Sequence, residues 1–442
     1  MKNSKYNIIV QDQNNDRVFC YNATTHNFFP IQTSKLNSLK SILENPDAYK
    51  LILPSFFQKL KEGRFIVRNS DEEINYIRKK NQAAVDSKHY KITIMPTLGC
   101  NFNCWYCVQI HKENERMSSD VIDRIKAHIN NMVFKKNILS LNIEWFGGEP
   151  FLCFEDAIYP INSYAKRICE EKGISFYSSA TTNGYLITKA VADKLEEINL
   201  TGFQVTLDGN KEFHDKVRFE PNVKTSSFDT ILENITYILQ SNENSKIAIR
   251  INYDDKNFTP EILIEQINRL IPYEIRNKIY FRIRKVWQVK HSEKFRDAIL
   301  EFKMLAKNNG YSDDKSSDII DNFIRCYACQ KYYSTIAPNG SIYKCTAREN
   351  YSEKPLGIIQ KSGIIKWVVP DFTKRYYGKA LFENNKCLKC NYLPMCMGPC
   401  PKSFEENNME RTDFKCYKSR PLDLKYEDSI LQYCLNHEND KI

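Results

Sequence analysis

Three cysteines stand close together in the segment TLGCNFNCWYCVQ, residues 97–109. Cys100, Cys104 and Cys107 have the spacing C-x3-C-x2-C, which would place three thiolates on one compact loop. An iron–sulfur cubane takes one thiolate per iron, so three thiolates leave one iron open for a substrate or cofactor. Zinc takes four protein ligands in a structural site, or three and a water in a catalytic one. The spacing predicts a metal centre and favours an iron–sulfur cluster over zinc.

The elements that would position this loop are short strands alternating with helical segments. The predicted strands are Tyr90–Met95, Leu139–Phe146, Ser175–Ala180, Gly202–Leu207, Lys246–Tyr253 and Lys278–Arg284. Six βα units in order predict a parallel sheet, either open and doubly wound or part of a (β/α) barrel. In both folds the functional groups lie in loops after the carboxyl ends of the strands. The cysteine segment directly follows the first predicted strand, so it falls in such a loop.

With the aromatic Tyr106 before its last cysteine, the segment resembles the cluster loop of the radical S-adenosylmethionine enzymes. The resemblance implies that Cys100, Cys104 and Cys107 hold a [4Fe–4S] cluster whose open iron binds S-adenosylmethionine. One-electron cleavage of that cofactor would give a 5′-deoxyadenosyl radical, which abstracts a hydrogen from the substrate. The resemblance further implies a partial (β/α)6 barrel and a low-potential electron donor such as flavodoxin or ferredoxin.

Later strand ends resemble the cofactor-binding segments of the same family. A Gly-Gly-Glu-Pro segment follows the second strand, and glycines there would let backbone groups approach a ligand closely. Arg218 resembles an arginine that follows the fourth strand in related enzymes and would pair with the cofactor carboxylate. Arg250 and Asn252 on the fifth strand are further candidates. The residues expected to bind S-adenosylmethionine are therefore Tyr106, Gly147, Gly148, Glu149, Thr182, Asn183, Thr206, Asp208 and Arg218.

Eight more of the fifteen cysteines lie between residues 326 and 416. Eight thiolates are enough for two four-coordinate centres, and two zinc ribbons would fit that number. The order of their spacings resembles the SPASM domain, in which such cysteines bind two auxiliary [4Fe–4S] clusters. The implied ligands of the first are Cys326, Cys329, Cys345 and Cys400, and those of the second are Cys387, Cys390, Cys396 and Cys416. The resemblance thus implies three [4Fe–4S] clusters in all.

The N-terminal segment reads as a separate α+β unit of the size of a winged-helix-like module. Many peptide maturases of the resembled family carry such a module, which binds the leader of a precursor peptide by strand addition. The predicted domains are residues 1–88 for this module, 89–310 for the partial barrel and 311–442 for a loop-rich iron–sulfur domain.

Composition narrows the classes of function. The net charge of +10 is spread over 442 residues without a long basic block, which disfavours a nucleic-acid partner. The sequence contains no run of about 18 apolar residues, the length that a membrane-spanning helix needs. An apolar signal segment is not found at the N-terminus either. We therefore expect a cytoplasmic protein with neither nucleic-acid nor membrane partners.

The function that the resemblance favours is maturation of a ribosomally made precursor peptide. Its product, a thioether or carbon–carbon crosslink or an epimer, is left open, and no catalytic acid or base is assigned. Anaerobic sulfatase maturation (formylglycine generation) ranks second. That branch carries an Asp directly after the cysteine equivalent to Cys345, whereas Thr346 stands here, and a hydroxyl is a poor general base. The alternative from another class is a zinc- or nucleic-acid-binding module without radical chemistry.

Overall fold

The computed structural model describes residues 1–12, 14–221, 223–254, 257–286, 288, 294–313, 326–347, 354–369, 382, 384–396 and 426–438. The chain divides into two compact units. The first comprises Met1–Ser87, Lys315–Lys331 and Thr373–Ile442, and the second comprises Lys88–Asp314 and Tyr332–Phe372. The three-domain division of the sequence stays a prediction.

The first unit contains a small antiparallel sheet with helices. Its strands are β1 (Lys2–Asn3), β2 (Asn7–Asp12), β3 (Arg17–Asn22), β4 (Phe28–Gln32) and β5 (Ile66–Val67), of which β2, β3 and β4 form one sheet and β1 pairs with β5. Its helices in the described residues are Leu36–Glu44, Pro54–Glu62, Ser70–Val85, Asn385–Leu388, Leu393–Cys396 and Tyr426–Asn436. The predicted α+β pattern of the N-terminal segment is confirmed, while its winged-helix character stays a prediction.

Two apolar clusters hold this first unit together. Cys20 of β3 packs with Leu39, Leu43 and Leu60 of the first two helices. A second cluster joins Tyr21 and other side chains of the same sheet to residues of the C-terminal helix Tyr426–Asn436. The small sheet therefore buries side chains against two different sets of helices.

The second unit is built on a large sheet with helices between successive strands. Its strands are β6 (His89–Ile94), β7 (Thr97–Leu98), β8 (Lys112–Arg116), β9 (Ser140–Trp145), β10 (Ser175–Thr182), β11 (Leu200–Leu207), β12 (Lys246–Tyr253), β13 (Ile279–Lys285), β14 (Tyr333–Ile336), β15 (Ser341–Tyr343), β16 (Gly357–Ile359) and β17 (Ile365–Trp367). Its α-helices in the described residues are Ser119–Lys135, Tyr159–Lys172, Lys189–Ala192, Lys211–Val217, Ser227–Ser241, Pro260–Leu270 and Lys294–Asn308. The six predicted parallel strands are all present, with ends that differ from the prediction by at most two residues.

The strand order decides between the two parallel folds. Within the described residues the sheet has the order β13-β12-β11-β10-β9-β6-β14-β15-β16-β17. The strands β6 and β9 to β13 are parallel and follow one another in chain order. A doubly wound sheet reverses its strand order at a switch point, whereas this order runs in one direction as in a barrel. The α/β fold with a large, mostly parallel sheet is therefore that of a partial barrel.

The two faces of the parallel strands differ in character because side chains alternate along each strand. One face carries Ile143, Val205 and Ile251, which are fully buried in the main apolar core with the helices. The other face carries polar side chains such as Gln204 and Arg250. In the described part of the chain, no helix is both long and apolar enough to cross a membrane.

Candidate functional site

The three cysteines of the first motif lie on the loop that joins β7 to β8, next to the end of β6. Cys100 and Cys104 are half-buried and Cys107 is exposed, with its Sγ 3.3 Å from Nε2 of His111. No three His, Cys, Asp or Glu side chains of the described residues converge as the ligands of a single metal ion would. A cubane takes one thiolate per iron, so its ligands bind different irons and need not converge on one ion.

Burial favours the neutral form of two thiols of this loop, Cys100 and Cys104. Burial raises the pKa of Cys100 to about 12. Burial also raises the pKa of Cys104, an effect that the positive charge of Arg218 opposes. Since iron binds the thiolate, cluster binding would release these protons. Three sulfur donors on one loop fit the soft ligand set of an iron–sulfur cluster.

The Gly-Gly-Glu-Pro segment lies directly against the cysteine loop. A Cβ on Gly148 would stand 2.0 Å from the carbonyl oxygen of Gly99, and one on Gly147 would stand 2.4 Å from that of Thr97. The backbone N–H of Glu149 donates to the Gly99 oxygen at 2.8 Å. The two glycines are therefore required by the contact between the two loops, a reason that the sequence motif alone does not reveal.

Glu149 joins the ends of two neighbouring strands. Its carboxylate is fully buried and accepts hydrogen bonds from the N–H of Phe151 at 3.0 Å, the N–H of Asn183 at 2.7 Å and Oγ1 of Thr182 at 2.8 Å. Burial raises the pKa of this carboxyl group, and the three hydrogen bonds oppose that rise. Asn183 continues the link, since its Nδ2 donates to Oδ1 of Asn101 in the cysteine loop at 2.7 Å.

Tyr106 links the cysteine loop to the fourth and fifth parallel strands. Its hydroxyl donates to Oδ2 of Asp208 at 2.5 Å and accepts from Nη1 of Arg218 at 2.7 Å and from Nδ2 of Asn252 at 3.2 Å. Asp208 and Arg218 are both buried. Burial raises the pKa of Asp208, while the charge of Arg218 opposes the shift. Thr206, also buried, stands in register with Arg250 on β12.

The motifs did not reveal two contributors to this site. Asn101 bonds to Asn183 as described, and the buried His214 accepts at Nδ1 from the N–H of Asp208 at 3.2 Å. Neither has a periodic or motif signal of its own. Nε of Arg218 and Nδ2 of Asn101 are buried without a hydrogen-bond partner in the described residues. Because an unpaired buried donor is costly, both atoms fit a site that receives a polar ligand.

The C-terminal cysteines fall in both units. In the first unit, Cys387 and Cys390 are one turn apart, and the N–H of Cys396 donates to the oxygen of Tyr392 at 2.8 Å. The same unit holds a short 3-10 turn in which the N–H of Cys329 donates to the oxygen of Cys326 at 2.8 Å. Cys345 is buried in the second unit, following β15. The predicted ligands Cys400 and Cys416 lie outside the described residues.

A family model described as the Radical SAM superfamily matches residues 94–252, from the end of β6 to β12. The chain is a radical SAM enzyme. Membership of that superfamily implies a [4Fe–4S] cluster and S-adenosylmethionine. The matched residues include the cysteine loop, the Gly-Gly-Glu-Pro segment and the Tyr106 contacts described above.

Relatives of this radical SAM enzyme cover most of its length. A cysteine-type anaerobic sulfatase-maturating enzyme from Clostridium novyi (strain NT) is 24% identical over 70% of this chain and 86% of the relative. The radical SAM cyclopropyl synthase TigE from Paramaledivibacter caminithermalis is 21% identical over 80% of this chain and 77% of the relative. The solved structure of native anSMEcpe with bound AdoMet and Cp18Cys peptide shares the fold, with a TM-score of 0.53 and 16% identity over 79% of this chain and 98% of that chain.

Proposed function

We propose that this radical SAM enzyme matures a ribosomally made precursor peptide. The observation that carries the proposal is the meeting of Tyr106 from the cysteine loop with Asp208, Arg218 and Asn252 at the ends of the parallel strands. Cys100, Cys104 and Cys107 would hold the [4Fe–4S] cluster. When bound, the cluster and S-adenosylmethionine supply a 5′-deoxyadenosyl radical that takes a hydrogen atom from the peptide.

The chain's own residues would position the cofactor. The Gly147-Gly148-Glu149 segment, Thr182 and Asn183 hold two strand ends against the cysteine loop through the contacts of Glu149. Arg218, with a guanidinium 5.7 Å from the ring centre of Phe102, lies beside that loop as a buried cation suited to a carboxylate. Thr206 and Asp208 would complete the site.

A peptide substrate is supported by the shared fold of a structure that holds both AdoMet and a Cp18Cys peptide. The N-terminal module would bind the leader of the precursor, and a crosslink or an epimer would be the product. The eight C-terminal cysteines would hold two auxiliary [4Fe–4S] clusters, for a total of three. A flavodoxin or ferredoxin would supply the low-potential electron.

Sulfatase maturation is the second candidate, because a cysteine-type anaerobic sulfatase-maturating enzyme is similar over 70% of this chain. Thr346 counts against it, since it follows Cys345 where that branch carries an Asp proposed as a proton acceptor. A hydroxyl does not accept a proton readily at neutral pH. Peptide maturation therefore remains the first proposal.

The test removes only the first cluster. The variant with Cys100, Cys104 and Cys107 all changed to Ala should lose reductive cleavage of S-adenosylmethionine to 5′-deoxyadenosine, while its iron falls from about 12 to about 8 per chain. Cys153→Ala, which removes a buried thiol of the same unit, should keep both. Cleavage that persisted in the triple variant would refute the cluster assignment. Mass spectrometry of a precursor co-expressed from a neighbouring gene then separates loss of two hydrogens, a crosslink, from no mass change, an epimer.

A further inference from the structure

The polar face of the parallel sheet carries an uneven distribution of charge. On β6 and β9, Lys91 pairs with Glu144 at 2.9 Å, so those charges cancel. On β12 and β13 the same face carries only cations among its charged side chains, namely Lys246 at the start of β12 and Arg250, Arg282 and Arg284 further along. The register supports one shared face, because Arg250 stands opposite Arg282 and Asn252 stands opposite Arg284.

Among the residues that the structure describes, two of these arginines each donate one hydrogen bond. Nε of Arg250 donates to Oδ1 of Asn252 at 2.9 Å, and Nη1 of Arg284 donates to the backbone oxygen of Ile283 at 3.2 Å. Each guanidinium has five N–H groups. Within the part of the chain that the structure describes, no carboxylate forms an ion pair with Arg250 or Arg284. Both side chains therefore have N–H groups that no described residue of the chain uses and that a bound acceptor could take up.

The surroundings of Arg250 favour an anion. Burial and the positive charge of Arg284 lower the pKa of Arg250, whereas Tyr106 and the carboxylate of Asp208 oppose the shift and Arg218 adds to it. A half-buried cation beside other cations is stabilised when a negative charge binds near it. A guanidinium prefers the planar, two-oxygen geometry of a carboxylate.

The two arginines lie next to the proposed cofactor site, on the strands beyond β11. Asn252, which accepts from Arg250, also donates to the hydroxyl of Tyr106 in the cysteine loop at 3.2 Å. Arg218 is the arginine that lies against the cysteine loop itself, beside Phe102. A group bound by Arg250 and Arg284 would thus lie one strand further along the same face, where a substrate would adjoin the cofactor.

We propose that Arg250 and Arg284 bind the side-chain carboxylate of an Asp or Glu in the substrate, so that the enzyme selects an acidic peptide segment near the reacting residue. This inference rests on the proposed function, because it takes the polar face of the sheet as the substrate site.

The test compares two synthetic decapeptides, acetylated and amidated, with the repeats Gly-Glu and Gly-Gln. Each is titrated calorimetrically into the anaerobic holoenzyme with S-adenosylmethionine at low salt. The Glu peptide should bind about tenfold more tightly than the Gln peptide, as one charge-assisted contact would give. Arg250→Gln and Arg284→Gln should each reduce this preference by at least threefold. The matched control Arg167→Gln, on the exposed face of the helix Tyr159–Lys172, should keep it.

Equal affinity of the wild type for the two peptides would overturn the inference. So would a preference that survives in both arginine variants or is lost equally in Arg167→Gln. If the variants instead lose affinity for S-adenosylmethionine and keep the peptide preference, the arginines serve the cofactor carboxylate and the inference is wrong. Reductive cleavage of S-adenosylmethionine by the wild type is measured in parallel. Cleavage without a peptide preference rejects this inference alone, whereas absent cleavage rejects the proposed function.

Discussion

Replacing Glu149 by Gln tests whether one buried carboxylate holds the candidate site together. Oε1 accepts from the Phe151 N–H and the Thr182 hydroxyl, and Oε2 accepts from the Asn183 N–H at 2.7 Å. The single oxygen of Gln can keep the first two bonds, but its NH2 group would then face the Asn183 N–H. The Asn183 N–H and the Gln NH2 group are then two buried donors facing each other, and the other two bonds lose their charge assistance. We expect a local loss of about 2 to 3 kcal/mol.

Amide hydrogen exchange followed by mass spectrometry measures this loss where it occurs. Because about 1.4 kcal/mol corresponds to a tenfold change in an equilibrium constant, protection from exchange in the peptides containing Phe151 and Asn183 should fall by roughly 30- to 150-fold. The control is Glu144→Gln, the same change on β9, whose side chain is 27% exposed and forms a half-buried ion pair with Lys91. That variant should lose less than about 1 kcal/mol. Unchanged protection at Asn183 in the Glu149 variant would refute the reasoning.

Two further predictions test loop packing and pH dependence. Gly148→Ala places a Cβ 2.0 Å from the Gly99 oxygen and should displace the cysteine loop at a cost of about 1 to 3 kcal/mol. The iron content of the reconstituted protein should therefore fall. The control Gly173→Ala should retain its iron, because a Cβ there meets nothing within 4 Å and only the positive φ is unfavourable. Burial lowers the pKa of His128 below its ordinary 6.5. As the pH falls, this histidine therefore takes up its proton in the unfolded chain before it does so in the folded one. The free energy of unfolding should then fall as pH drops below 6.5, by at most about 1.4 kcal/mol per pH unit. Urea unfolding of the second unit between pH 7.5 and 5 should show a smaller fall in His128→Gln, and an equal fall in both proteins would contradict the assignment.

Local sequence was sufficient to find the parallel strands and their carboxyl ends. Each parallel strand is a short run with apolar residues at alternate positions, such as Ile247, Ile249 and Ile251 of β12, and this period of two is a local property. The polar residues that follow a strand, such as Asp208, then fall at the carboxyl end of the sheet. This placement, together with the resemblance of these segments to the radical SAM family, singled out the candidate site residues.

The pairing of distant segments was not predictable in the same way. The choice between a doubly wound sheet and a barrel depends on which strands become neighbours, and no local pattern encodes that. The contact of Gly148 with Gly99 and the bond from Asn183 to Asn101 also join separate loops. The backbone reason for the two glycines and the role of Asn101 therefore emerged only from the fold.

The parallel pairing of β14 with β6 has a consequence for synthesis on the ribosome. Thr93 of β6 contacts Tyr333 of β14, which follows it by 240 residues in the chain. At about 5 to 20 residues per second, translation needs on the order of 10 to 50 s to produce that partner. During this interval one edge of β6, immediately before the cysteine loop, has no strand beside it and is a site for unwanted pairing with other nascent chains. We therefore expect the yield of active enzyme to depend on elongation speed and chaperone supply as well as on iron–sulfur assembly.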